Sequence, residues 1–197
     1  MKFKSFFHLI GFFCILIALG ACDSNPTSKK QIDVVDLNED YYEFQGFSLK
    51  PFELSYSIML PDETANIGAA TVPEISHKEG DFYWDISIGS NFKLHIEDYG
   101  DYNDLIPQKR NALKNQKIFK VEYLVNEKNL IVYKQTLMVK GSKNASPKVG
   151  VEHSSYHVYG QKEFNNISYE LSSSEEGSTK EIITLMAKSI KSFKPIK

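Results

Sequence analysis

Phe82-Tyr83-Trp84-Asp85-Ile86-Ser87-Ile88-Gly89-Ser90-Asn91-Phe92-Lys93-Leu94-His95-Ile96-Glu97 is the stretch whose pattern decides the fold. Phe82, Trp84, Ile86 and Ile88 alternate with Tyr83, Asp85 and Ser87. Beyond Gly89-Ser90-Asn91, Phe92, Leu94 and Ile96 alternate with Lys93, His95 and Glu97. Side chains of a strand point to opposite faces in turn. Two such period-2 runs across a Gly/Asn turn therefore predict a β-hairpin with one buried face, and Trp84 falls on that face.

Toward the N-terminus, Phe47-Ser48-Leu49 and Leu54–Leu60 read as strands, the second stopped by Pro61-Asp62. Residues Glu63–Gly80 have weak periodicity and are expected to be a long loop or an irregular crossing. Toward the C-terminus, Asp98–Asn103 is an acidic, aromatic loop. Asp104 is placed to cap a helix over Leu105–Asn115, with Pro107 tolerated in the first turn and Leu105, Ile106, Ala112 and Leu113 as its apolar stripe.

A second hairpin is expected from Lys120–Val125, a turn at Asn126–Asn129, and Leu130–Val139. Leu130-Ile131-Val132-Tyr133 is apolar on both faces, as suits a central strand. After a loop at Gly141–Pro147, a long strand over Val149–Tyr159 turns at Lys162–Asn166 and returns as Ile167–Leu171. Ser172–Gly177 is a polar break. Ser178-Thr179-Lys180-Glu181 then matches a capping box, and Ile182, Ile183, Met186, Ile190 and Phe193 share one face of a closing helix. The sum is an α+β fold: an antiparallel sheet of about six to eight strands with two helices packed on it. The alternative is a lipocalin-like or other β-barrel with a C-terminal helix.

The first 22 residues speak to location. Lys2 and Lys4 precede an apolar run from Phe6 to Leu19, which ends in Leu19-Gly20-Ala21-Cys22. A basic start, a short apolar core and small residues at the cut make a secretory signal, since a comfortable span needs roughly 20 apolar residues. The tetrapeptide resembles the lipobox of bacterial lipoproteins. That resemblance implies cleavage before Cys22 and acylation of its thiol and amine, which is more than stable anchoring requires. The expected organisation is a removed signal over residues 1–21, a flexible polar tether over 22–40, and one globular domain over 41–197. The expected location is a bacterial envelope, the outer membrane ahead of the inner, with the lipid as the contact to the membrane.

The net charge of −2 becomes more acidic once Lys2 and Lys4 are removed, so the surface gives no reason to expect nucleic acid. Of the two cysteines, Cys14 leaves with the signal and Cys22 carries the lipid. The folded part then has no thiol for catalysis, metal binding or a disulfide.

Two further motifs carry a resemblance. Ser55-Tyr56-Ser57-Ile58-Met59-Leu60-Pro61 resembles an early strand of the PsbP-like proteins, and Ser189-Ile190-Lys191-Ser192-Phe193-Lys194-Pro195 resembles their closing helix. The resemblance implies an α/β/α sandwich around an antiparallel sheet and a binding or assembly role without catalysis. No functional residue is carried over from it.

Catalytic signals are missing. His153 and His157 share a strand face, but a rise of ~3.3 Å per residue separates them by ~13 Å, too far for one zinc. A metal site would need His95 as well, and exposed strand histidines are the plainer expectation. The run Glu97–Asp104 lacks the spacing of a calcium loop. The serines at Ser154, Ser155 and Ser172–Ser174 stand in no nucleophile motif. Asp85, Glu97 and Glu170 are acids that spacing alone does not pair. No cofactor motif is present. Tyr83, Tyr99, Tyr102, Tyr156 and Tyr159 are candidates for a stacking platform, the last four as ligand-binding residues. The functional expectation is a membrane-anchored, non-catalytic module that binds an envelope protein partner. The alternatives are a small-ligand or lipid carrier and, third, a histidine-dependent hydrolase.

Overall fold

The computed structural model describes Val35, Leu37, Asn38 and residues 40–68, 72–139, 143–144 and 154–196. The expected lipidation site at Cys22, His153 and the expected strand start at Val149 lie outside these residues. The hairpin at the centre of the sequence reading is β4 (Tyr83–Ile88) and β5 (Phe92–Asp98). Trp84 pairs with Ile96, Ile86 with Leu94 and Ile88 with Phe92, and all six side chains are buried. Trp84 also donates its indole N–H to the Phe52 carbonyl at 2.6 Å, which satisfies the one polar atom it takes into the core. Phe82 departs from the pattern. It precedes the first strand residue and its side chain is 69% exposed, although its carbonyl still accepts from the Asp98 N–H at 2.8 Å.

The strands form two antiparallel sheets. The larger runs β3 (Glu74–Ser76), β4, β5, β10 (Ile167–Ser173), β9 (Ser154–Phe164), β7 (Leu130–Val139) and β6 (Phe119–Asn126), with β8 (Lys143–Asn144) paired to β7. The smaller joins β1 (Phe44–Ser48), β2 (Tyr56–Pro61) and β11 (Lys194–Pro195). This is the expected α+β architecture. The larger sheet is open, ending at β3 and β6, and no barrel closes. β3 falls within the stretch expected to be a loop; three residues are too few to display a period.

The two helices lie on opposite faces of the larger sheet. α2 (Lys180–Ser192) and the smaller sheet share one core with Trp84, Ile86, Leu94, Ile96, Leu130, Val132, Val158 and Leu171. Ile182, Ile183, Met186, Ile190 and Phe193 face that core as the spacing predicts, each contributing roughly 1.5–3 kcal/mol of apolar transfer. α1 (Leu105–Asn115) covers the other face, where Leu105, Ile106 and Leu113 meet Ile131, Tyr133 and Tyr159. Ala112, expected in this stripe, is exposed. β7 thus supplies apolar residues to both faces, which explains its unbroken apolar run.

Three local readings change. The N-cap of α2 is Thr179, whose side chain accepts from the Ile182 N–H; Ser178 instead pairs through its backbone with Tyr156. Asp104 is the N-cap of α1 but makes no side-chain cap bond. Packed contacts also begin ahead of Tyr41, because Val35 and Leu37 rest on the α2 core and Lys188 reaches Asn38 and the Asp40 carbonyl. No helix among the described residues is long and apolar enough to cross a membrane.

Candidate functional site

Strand alternation places a row of polar side chains on the α1 face of the larger sheet, beyond the reach of that short helix. Asp85 lies opposite His95, His95 opposite Ser172, and Ser172 opposite Tyr159. The next row is Tyr83, Glu97, Glu170 and Gln161. Of these two rows Asp85, His95, Ser172, Tyr159, Glu97 and Glu170, together with His157, Tyr133, Gln135 and the segment Ser173–Glu175, line a cleft of about 580 Å³, bordered by Lys109 and Leu113 of α1.

The acids are the distinguishing feature. Glu97 and Glu170 are directly opposed across the β5–β10 ladder, an arrangement that ordinarily costs stability. Local partners moderate it: Tyr159 donates its hydroxyl to Glu170 Oε2 at 2.7 Å, and His95 Nε2 lies 3.5 Å from Glu97. The other His95 nitrogen, Nδ1, is 2.7 Å from Asp85. Among the described residues no lysine or arginine forms an ion pair with Asp85, Glu97 or Glu170. Burial, with the Glu170 and Glu97 carboxylates beside it, pushes the Tyr99 phenol up to about 12. Tyr159 is driven up by burial and by its bond to Glu170, so both phenols remain protonated donors at neutral pH.

His157 is a different kind of residue. It is only 4% exposed and stacks on Tyr133 with centroids 5.1 Å apart. Its Nε2 meets Ser155 Oγ at 2.8 Å. Burial, then the nearby Lys109 charge, holds it down at about 4, against a hydrogen bond that the ring donates to the Ser174 backbone, which works the other way. At neutral pH it is an uncharged wall. Lys109 itself lies over the Tyr159 ring, 5.0 Å from its centroid, a cation–π contact within the cleft.

The sequence candidates therefore divide. His95 and His157 reach the same cleft, and Tyr159 forms part of its wall. Tyr99 adjoins Glu97 and Glu170. Tyr102 is exposed, its hydroxyl accepting from Gln108 of α1. Tyr156 points to the opposite face, where Lys134 lies over its ring and it packs on the α2 core. Among the described residues no group of three His, Cys, Asp or Glu is placed to hold an ion. Asp85, Glu97 and Glu170, which spacing left apart, come together. Lys109, Gln135 and Glu175 carry no motif; the available signal was the even spacing of Ser168, Glu170 and Ser172 along one strand. No protein-family model matches the chain, and no curated protein matches it closely.

Proposed function

We propose that this chain is a lipid-anchored, non-catalytic binding module of a bacterial envelope, whose cleft holds a cationic group of a protein partner. The observation that carries this is the opposed Glu97–Glu170 pair on the cleft floor, with Asp85 alongside and, among the described residues, no lysine or arginine paired to any of the three. A fold that keeps like charges directly opposite gives up stability, and a lysine or arginine from a partner would recover it. The tyrosine rings beside the acids suit the same group, as Lys109 over Tyr159 illustrates. The lipobox-like Leu19-Gly20-Ala21-Cys22 supports the anchor, and the PsbP-like strand and closing helix support a binding role.

Other readings draw less support. A carrier would want an apolar pocket beneath the closing helix, where Ile182, Ile183, Met186 and Ile190 instead pack into the core. A hydrolase built on His157 would want that ring basic near neutrality, and it is held too low.

The test is a photo-cross-linker at Gln135 in the full chain, expressed in a bacterial envelope. A discrete protein adduct is expected, lost when Glu97→Gln and Glu170→Gln are combined, with the adduct site on the partner mapping beside lysine or arginine. An adduct indifferent to both substitutions, or none, would remove the reading.

A further inference from the structure

β6 is one of the two ends of the larger sheet and the longer of them, at eight residues against three for β3. The Met138 N–H bonds the Ile118 carbonyl, and Phe119 lies opposite Leu137. In an antiparallel ladder the peptide groups alternate in direction. Lys120 and Glu122 therefore turn theirs toward β7, while Phe119, Val121 and Tyr123 turn theirs outward. The Gln116 side chain covers the first of these: its Oε1 accepts from the Phe119 N–H at 2.8 Å and its Nε2 donates to the Phe119 carbonyl. A primary amide here imitates the peptide group of a neighbouring strand. Among the described residues nothing takes that place at Val121 or Tyr123.

The open stretch is self-complementary. Phe119-Lys120-Val121-Glu122-Tyr123 reads aromatic, basic, valine, acidic, aromatic. Lys120 and Glu122 already pair with each other within one chain at 2.8 Å. Laid antiparallel against itself with Val121 on the axis, the stretch also sets Lys120 against Glu122 of the second copy, twice, joining the two pairs into one network, and Phe119 against Tyr123, twice. Phe119 and Tyr123 are 36% and 38% exposed, more than core strands leave their rings. A register centred on Glu122 would oppose two like charges. We infer that β6 is the interface of a two-fold dimer, in which two copies join their larger sheets edge to edge through Phe119–Tyr123. A contact of this type is isologous and closes on itself, so it ends at two copies. β6 lines no part of the cleft, and the inference is independent of what the cleft binds.

The full chain, purified in mild detergent, tests it. Residues paired across a hydrogen-bonded antiparallel position have Cα atoms about 5.5 Å apart, within reach of a disulfide. Val121→Cys is expected to form a cross-linked dimer on mild oxidation; Lys128→Cys, exposed in the β6–β7 turn, and the unsubstituted chain are the controls. Adding Lys120→Glu to V121C should lower the dimer yield about tenfold by opposing like charges. The same holds for adding Glu122→Lys. Mixing the two charge-reversed chains should restore the yield, since each then meets its opposite. Gln116→Ala, which uncovers Phe119, should raise it. A V121C yield no greater than that of K128C overturns the interface, as does a yield indifferent to charge reversal. A yield unchanged by Q116A overturns the register with Val121 on the axis.

Discussion

His157 makes stability fall with pH, and by how much follows from its surroundings. The ring is buried on Tyr133 and bonded to Ser155, and burial with the Lys109 charge holds its pKa at about 4. Unfolded, it returns to an ordinary histidine value of roughly 6.5. Above that value the ring is neutral in both states and costs nothing. As the pH falls through 6.5 the unfolded chain takes up a proton that the folded chain refuses. The difference grows until the folded ring is itself protonated near pH 4. Linkage at 1.36 kcal/mol per pKa unit puts the full loss at about 3 kcal/mol, of which about 2.5 is reached by pH 4.5.

The assay is urea unfolding of wild type and His157→Gln at pH 7.5 and 4.5. The amide keeps a polar group in place but cannot titrate, so its baseline cost cancels in the comparison. Wild type should lose about 2.5 kcal/mol more than the variant across this range. Carboxylates titrating in the same window affect both proteins alike. If the variant does not fold, the ring proton of His157 is followed by NMR in wild type, where it should titrate near 4. Equal pH slopes, or titration near 6.5, would refute the argument that the ring is desolvated under the Ser174–Gly177 segment.

Further outcomes are open to measurement. Gly160 lies where α2 presses on β9: an added Cβ would sit 2.6 Å from Ile190 Cγ2 and 3.3 Å from Leu130 Cδ1. Gly160→Ala should destabilise by roughly 1–3 kcal/mol through overpacking, and a denaturation midpoint within error of wild type would contradict that packing. Gly177 adopts φ +72° and its Cβ would sit 2.6 Å from both the Tyr156 carbonyl and the His157 ring. Gly177→Ala should cost about 2 kcal/mol or more, read by the same unfolding curves, and should bring the His157 titration closer to its ordinary value. Cys22→Ser should abolish incorporation of labelled palmitate and release the chain from the membrane fraction; retained label would refute the anchor reading.

Much of the fold was legible because burial on one face writes itself into the sequence as a period. The β4–β5 hairpin, both helices and the two-faced apolar run of β7 were all visible this way. Phe82 misled because the period runs one residue beyond the start of β4, and Ala112 because it sits at the edge of the α1 stripe, one residue before the buried Leu113. Ser178 looked like the cap because Ser and Thr offer the same hydroxyl, and only the backbone pairing with Tyr156 decides between them. β3 and β11 were too short to announce themselves.

The cleft was not legible in the same way. Asp85, Glu97 and Glu170 sit on three strands, and the first and last are 85 residues apart in the chain. Polar residues at alternate strand positions look the same whether they face plain solvent or one another. Register and strand order settle that, and both depend on the non-local pairing of β10 between β5 and β9. By itself, then, the sequence determined most of the buried faces, where most elements lie and what the first 22 residues resemble, because those properties follow from local period and composition. Only the tertiary structure decided that two glutamates oppose each other beneath a pair of tyrosines, that His157 is closed off from water, and that β6 is left at an edge. Each of these is set by what the neighbouring strand brings alongside, and no local pattern carries that information.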